Sequence, residues 1–182
     1  WNWLLHSPTA FKVEEHEQTL NTVNTEEGFA TQTWLFSSTP YTLAQTDLFR
    51  VPPADSPTPE YPNQWHLSAT VENSHANRFL FIMQVYDGHL IPAPITRDGN
   101  EFCIGEWRIS AEMNCDQSPS VHITNQKQGV MFDYGKGDAQ LPDGSTFRRS
   151  QPFSSVLYDS YKGTIETMEQ SDYLPKHTRS NY

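Results

Sequence analysis

Arg78-Phe79-Leu80-Phe81-Ile82-Met83-Gln84-Val85-Tyr86, closed by Asp87-Gly88, is the most apolar run in this chain of 182 residues. Its aromatic and β-branched side chains suit a pleated surface. It is far shorter than the roughly 20 apolar residues that a bilayer-spanning helix needs. Asp-Gly directly after it supplies turn chemistry. The run reads as a central strand buried on both faces.

Working outward, the neighbouring segments carry the same β signature. Upstream, Gln64 to Glu72 alternates apolar and polar residues, as a half-buried strand does. Ala30 to Phe36 and Tyr41 to Val51 are β-compatible, and Ser37-Ser38-Thr39-Pro40 could join them as a pair. A helix over Leu43 to Arg50 stays open, because TLAQTDLF has apolar residues near helical spacing. Ala10 to Glu15 and Trp1 to Pro8 complete the first half. Trp1 and Trp3 lie on one face of their strand, with Leu4 and His6 on the other. Two large aromatics at the very start suggest a strand whose packing partner belongs to a longer polypeptide.

Downstream of the opening run, short strands follow at fairly regular spacing. They cover Glu101 to Ile104, Glu106 to Glu112, Ser120 to Asn125, Gly129 to Tyr134, Thr146 to Arg148, Ser154 to Asp159 and Gly163 to Met168. Asp98-Gly99 and Asp143-Gly144 mark turns. Val51 to Pro62, reading VPPADSPTPEYP, cannot be a central strand because Pro lacks the ladder donor. The expected fold is all-β, a two-sheet antiparallel β-sandwich over residues 1–168 with a polar tail over 169–182.

Composition narrows the function. The formal net charge is −10 and the pI is near 5.0, which opposes binding to nucleic acid or to anionic membranes. Twelve Lys and Arg are also few for gripping a polyanionic glycan, and the densest pair, Arg148-Arg149, is short. Two cysteines cannot make a disulfide framework. Cys103 and Cys115 form one bridge across a hairpin or stay as two reduced, packed thiols. Gly135-Lys136-Gly137-Asp138 lacks the strand–loop–helix setting of a phosphate cradle and reads as a turn. No GxSxG or HExxH pattern occurs.

The histidines at 6, 16, 66, 75, 89, 122 and 177 are scattered, so no local metal-ligand pair is predicted. Glu14-Glu15-His16-Glu17 reads as a solvated strand end, and His66, facing away from Trp65, as a structural histidine. Asp133, Asp138 and Asp143, interleaved with glycines, leave room for a structural calcium ion, though the spacing is not that of an EF-hand. The sharpest functional option is sugar binding. Flat aromatic rings stack on the C–H faces of sugars, while charged and amide side chains take the hydroxyls. Trp107 with Arg108, Asp133 with Tyr134, and Tyr158 with Tyr161 are the candidate platform; the competing reading of Trp34, Trp65 and Trp107 is that they are core.

WLLH-S-P over Trp3 to Pro8, TLAQTDLFRVPP over Thr42 to Pro53, QWHL over Gln64 to Leu67 and RFLFIMQVY over Arg78 to Tyr86 form an ordered set. That set resembles the C-terminal β-sheet region of heparinase II/III-like polysaccharide lyases, over roughly Trp1 to Tyr86. The resemblance implies a helical toroid upstream, antiparallel β-sheet domains after it, and a secreted or periplasmic parent. It also implies β-elimination on acidic polysaccharides, in which a base takes the proton α to a uronate carboxylate and an acid protonates the leaving oxygen. The family's Tyr and His catalysts and its zinc ligands come from segments before the WLLH-type strand, so no catalytic residue and no metal ligand is carried over to this chain. Its partners would be the upstream lyase domains, with polysaccharide contact as a further option. Three functions follow: an ancillary β-sandwich of a lyase, an autonomous carbohydrate-binding module, and a small complete lyase of β-sandwich type. The sparse basic residues place the third last.

Overall fold

The structure, a computed structural model, describes residues 1–14, 19–24, 28–48 and 63–168. The Pro-rich run 51–62, the tail 169–182 and the acidic group around His16 lie outside the described residues. Every described regular element is a strand, and all strand pairing is antiparallel. The fold is all-β, as the alternating sequence predicts. Strand spacing suggests one domain over 1–168, but the chain divides into two compact units, Trp1–Pro92 and Ala93–Tyr182. The sheets explain the division, since each is built from strands of one unit only.

The first unit holds β1 (Asn2–Ser7), β2 (Lys12–Glu14), β3 (Thr19–Asn24), β4 (Phe29–Ser37), β5 (Thr42–Thr46), β6 (Trp65–Thr70) and β7 (Phe79–Asp87). They form a three-stranded sheet, β1-β6-β5, and a four-stranded sheet, β2-β3-β4-β7. Both sheets feed one core. Leu67 and Ala69 from β6, Leu20 from β3, Leu35 from β4 and Phe11 are buried there, with Trp3, Leu5, Leu43, Phe79 and Phe81 packed around them. The Trp3 and Phe81 rings meet at 4.8 Å, one from each sheet. This unit has the two-sheet architecture that the alternation predicts.

Three details differ from the sequence reading. β5 pairs with β6, not with β4. Ser37-Ser38-Thr39-Pro40 is a corner between sheets: the hydroxyls of Ser37, Ser38 and Thr39 all donate to Asn77 Oδ1, at 2.9, 2.8 and 2.7 Å. Among the described residues β7 is an edge strand paired only with β4, and its burial alternates, with Val85 62% exposed. The nine-residue β4–β7 ladder is longer than any described strand of the facing sheet, which reaches six residues, and Phe29, Met83 and Val85 on it are exposed. Of the two early tryptophans, Trp3 packs while Trp1 is 61% exposed.

The second unit holds β8 (Ile95–Asp98), β9 (Glu101–Ile104), β10 (Trp107–Ala111), β11 (Val121–Asn125), β12 (Val130–Gly135), β13 (Ala139–Gln140), β14 (Thr146–Phe147), β15 (Ser154–Asp159) and β16 (Thr164–Met168). Seven strands run as one sheet in the order β16-β15-β12-β11-β10-β9-β8. The excursion between β12 and β15 carries the small β13–β14 ribbon, whose Ala139, Leu141 and Phe147 pack on Met131 of β12 and Val156 of β15. The polar sequences of β3, β8 and β13 carry too little alternation to mark them as strands beforehand. Among the described residues no helix is long and apolar enough to cross a membrane.

Candidate functional site

Register in the second unit assigns every candidate side chain to a face. Ser110 stands opposite His122, His122 opposite Asp133, and Asp133 opposite Val156. With alternation along each strand, Arg108, His122, Thr124, Asp133 and Tyr158 share one face. Trp107 and Tyr134 belong to the other, and Tyr161 sits in the β15–β16 turn. The six residues expected to form an aromatic platform are therefore divided between two faces and a turn. Trp107 is 37% and Tyr161 93% exposed, but no single sugar surface collects them. Tyr134 lies near Phe153, rings 6.5 Å apart, and Arg108 is engaged by Glu101 at 3.3 Å.

The face with Asp133 carries a different arrangement. His122 Nδ1 meets Asp133 Oδ2 at 2.8 Å, while Arg149 donates to Asp133 Oδ1. Arg149 reaches this position from the segment between β14 and β15, and its side chain is only 3% exposed. It also donates to the backbone carbonyls of Gly137, of Ser154 at 3.2 Å and of Asp133 itself at 3.3 Å. Burial by itself pushes the Asp133 carboxyl up. The hydrogen bonds and positive charges of His122 and Arg149 outweigh it and hold the group below the usual value of 3.8. Asp133 is thus an ionised, cation-paired carboxylate.

Asp133 and Asp143, two of the three acidic residues considered for calcium, are engaged by protein donors. Asp133 gives one oxygen to Arg149 and the other to His122. Asp143 receives the Ser145 backbone N–H at 2.9 Å and hydroxyl at 2.6 Å, which lower its pKa. Tyr158 Oη lies 3.4 Å from the second Asp143 oxygen. Desolvation, then the Asp143 charge, raises the pKa of that phenol. Among the described residues no three His, Cys, Asp or Glu side chains gather as a metal site. Cys103 and Cys115 are both half-buried thiols, the reduced one of the two states considered. Arg108 approaches the Cys103 sulfur at 3.4 Å.

A cleft of about 350 Å³ opens beside His122. Its walls come from β11 and its following turn (Thr124, Gln126), from β12 (Val130) and from the β13–β14 ribbon (Gln140, Leu141, Pro142). His122 and Arg149 are the residues that composition alone passes over. Hairpin register could have found the first: a tight turn at Gln126–Gly129 pairs Asn125 with Val130, and hence His122 with Asp133. An acyl-transfer reading would need a nucleophile on the histidine. Ser110 is the register neighbour, yet among the described residues no hydrogen bond joins it to the ring. Compared with known proteins, the chain matches no protein-family model and no curated protein.

Proposed function

We propose that this chain is the non-catalytic C-terminal β-region of a heparinase II/III-like polysaccharide lyase, where it supports the catalytic domains and contacts polysaccharide. One observation carries the reading. The segments that bear the resemblance are scattered over some eighty residues of sequence, yet WLLH, TLAQT and QWHL fold as β1, β5 and β6 of one three-stranded sheet. In it Leu5 pairs with Leu67 and His6 with His66, whose rings lie 4.5 Å apart. The fourth segment is β7 of the facing sheet, and its Phe81 touches Trp3. An ordered set of motifs that meets in one core is what a shared domain, rather than chance similarity, would produce.

The test uses the parent polypeptide with and without residues 1–182. Ultraviolet absorbance of the unsaturated product should rise with the intact parent on an acidic polysaccharide. It should stay flat for the 182-residue chain alone. Deleting the chain should lower the parent's melting temperature or soluble yield. Product formation by the chain alone would overturn the non-catalytic assignment, and a parent without lyase activity would overturn the family reading.

The carbohydrate-binding-module alternative is weakened in the form that relied on an aromatic platform, because Trp107 and Tyr158 occupy opposite faces. A polar cleft is a separate matter.

A further inference from the structure

His122 is held as a hydrogen-bonding group with a defined direction. The ionised Asp133 carboxylate can only accept, so Nδ1 carries the proton between them. In the neutral ring that leaves Nε2 as a lone-pair acceptor. The ring is half-exposed and forms part of the cleft wall, while Asp133 is anchored from behind by the buried Arg149. A fixed second partner is what turns an imidazole into a directional ligand.

The other walls complement it. The Thr124 hydroxyl and the Gln126 and Gln140 amides each offer both a donor and an acceptor. Gln140 is positioned by the Thr146 hydroxyl, to which its Nε2 donates at 3.1 Å and from which its Oε1 accepts at 3.3 Å, leaving one N–H and one lone pair of the amide. Val130, Leu141 and Pro142 give an aliphatic side. At about 350 Å³ the cleft is near the lower end of the roughly 300–1,000 Å³ range for ligand pockets, a size suited to one ring. The lining residues include no Lys or Arg, and the nearby Arg149 is already neutralised by Asp133. A carboxylate or sulfate would find no ion pair here, while a ring rich in hydroxyls would find paired donors and acceptors.

We propose that this cleft is a subsite for one pyranose unit of a neutral glycan, with His122 Nε2, Thr124, Gln126 and Gln140 taking its hydroxyls and Leu141 and Pro142 its C–H face. The assignment rests on the polysaccharide contact in the reading above but not on lyase activity in the parent. It separates the sugar held here from the acidic polymer that the family resemblance implies for the catalytic domains.

Nitrogen-15 heteronuclear NMR titration of the full chain is the test. The probes are cellohexaose, mannohexaose and laminarihexaose, with alginate and chondroitin hexasaccharides as acidic comparators. At least one neutral hexasaccharide should shift the amides of residues 122–130, 139–141 and 143. H122A and Q140A should each weaken its binding at least tenfold, and W107A, on the opposite face, should leave it unchanged. H122N keeps a donor near the Nδ1 position toward Asp133 but does not reach the Nε2 position, so it should lose affinity as H122A does without lowering the melting temperature. Shifts confined to Trp107 or Tyr161 would overturn the cleft while leaving glycan contact standing. Tighter binding of the acidic hexasaccharides in the cleft would overturn the neutral assignment. No response to any sugar would remove both the cleft and the glycan contact, with the supporting role still judged by the deletion experiment.

Discussion

Arg149 has almost no contact with water, and its guanidinium joins three pieces of backbone to one carboxylate. Removing it leaves the half-buried Asp133 with His122 as its remaining side-chain partner and three backbone carbonyls without that donor, at a cost of about 3 kcal/mol. R149A should therefore lower the unfolding free energy by about that amount, read from urea denaturation. R149K should recover only part of it, because an ammonium cannot reproduce the fork of donors. Asp133 also sets an acid dependence. Its folded pKa lies below the ordinary 3.8, so its contribution is fully present above the unfolded value. It is lost as pH falls through the lower folded value. D133N should be less stable than the parent chain at pH 7, and the gap should narrow below about pH 4; a gap constant down to pH 2 would sink this account. Little of this was legible beforehand. In the sequence Arg148-Arg149 is simply the densest basic pair, and only the path of the β12–β15 excursion turns one of the two arginines inward.

At the scale of elements, strands with strict alternation and flanking turn residues were readable nearly to the residue. Ser154–Asp159 and Glu101–Ile104 stand where the pattern put them. Pairing partners were less legible, because alternation states which face is buried and not which neighbour supplies the ladder. β5 shows this: Pro40 and the Asn77 contacts make a corner where a hairpin looked natural. The β11–β12 turn is the element on which the candidate site depends, since it sets the register joining His122 to Asp133. Gly129 closes it with φ of 62°, a left-handed conformation that costs most side chains about 1 kcal/mol. A Cβ there would also meet Ser160 Oγ at 1.8 Å. G129A should destabilise by about 2 kcal/mol, combining the conformational cost with crowding. The double variant G129A/S160A should recover only the part of the crowding due to Oγ, because the Cβ of residue 160, 2.9 Å from the added methyl, remains. Thermal melts of the parent chain and the two variants measure the split, and a G129A protein as stable as the parent chain would show that the turn can relax freely.

For the whole molecule, charge is the property that reaches furthest into function, and it is unevenly spread. Residues 1–92 hold three of the twelve Lys and Arg but ten of the twenty-two Asp and Glu. The larger basic share falls in residues 93–182, where Arg149 is consumed by Asp133, and Arg108 and Lys162 face Glu101 and Asp159. Those pairings engage three of the seven Lys and Arg among the described residues of that unit. A polyanion is held by clusters of cations and released by salt, and the four others, Arg97, Lys127, Lys136 and Arg148, are outnumbered by the chain's acidic residues. At neutral pH and about 0.15 M salt, where charges beyond roughly 8 Å are screened, the chain should pass unretained through heparin-agarose. It should bind an anion exchanger instead, as its net charge of −10 requires. Retention on heparin would reveal a basic surface that these pairings conceal, and would count against a neutral sugar in the His122 cleft. Passage without retention would show that the basic residues of this chain form no polyanion-gripping cluster, and the acidic balance of residues 1–92 is then what a charged polymer meets first.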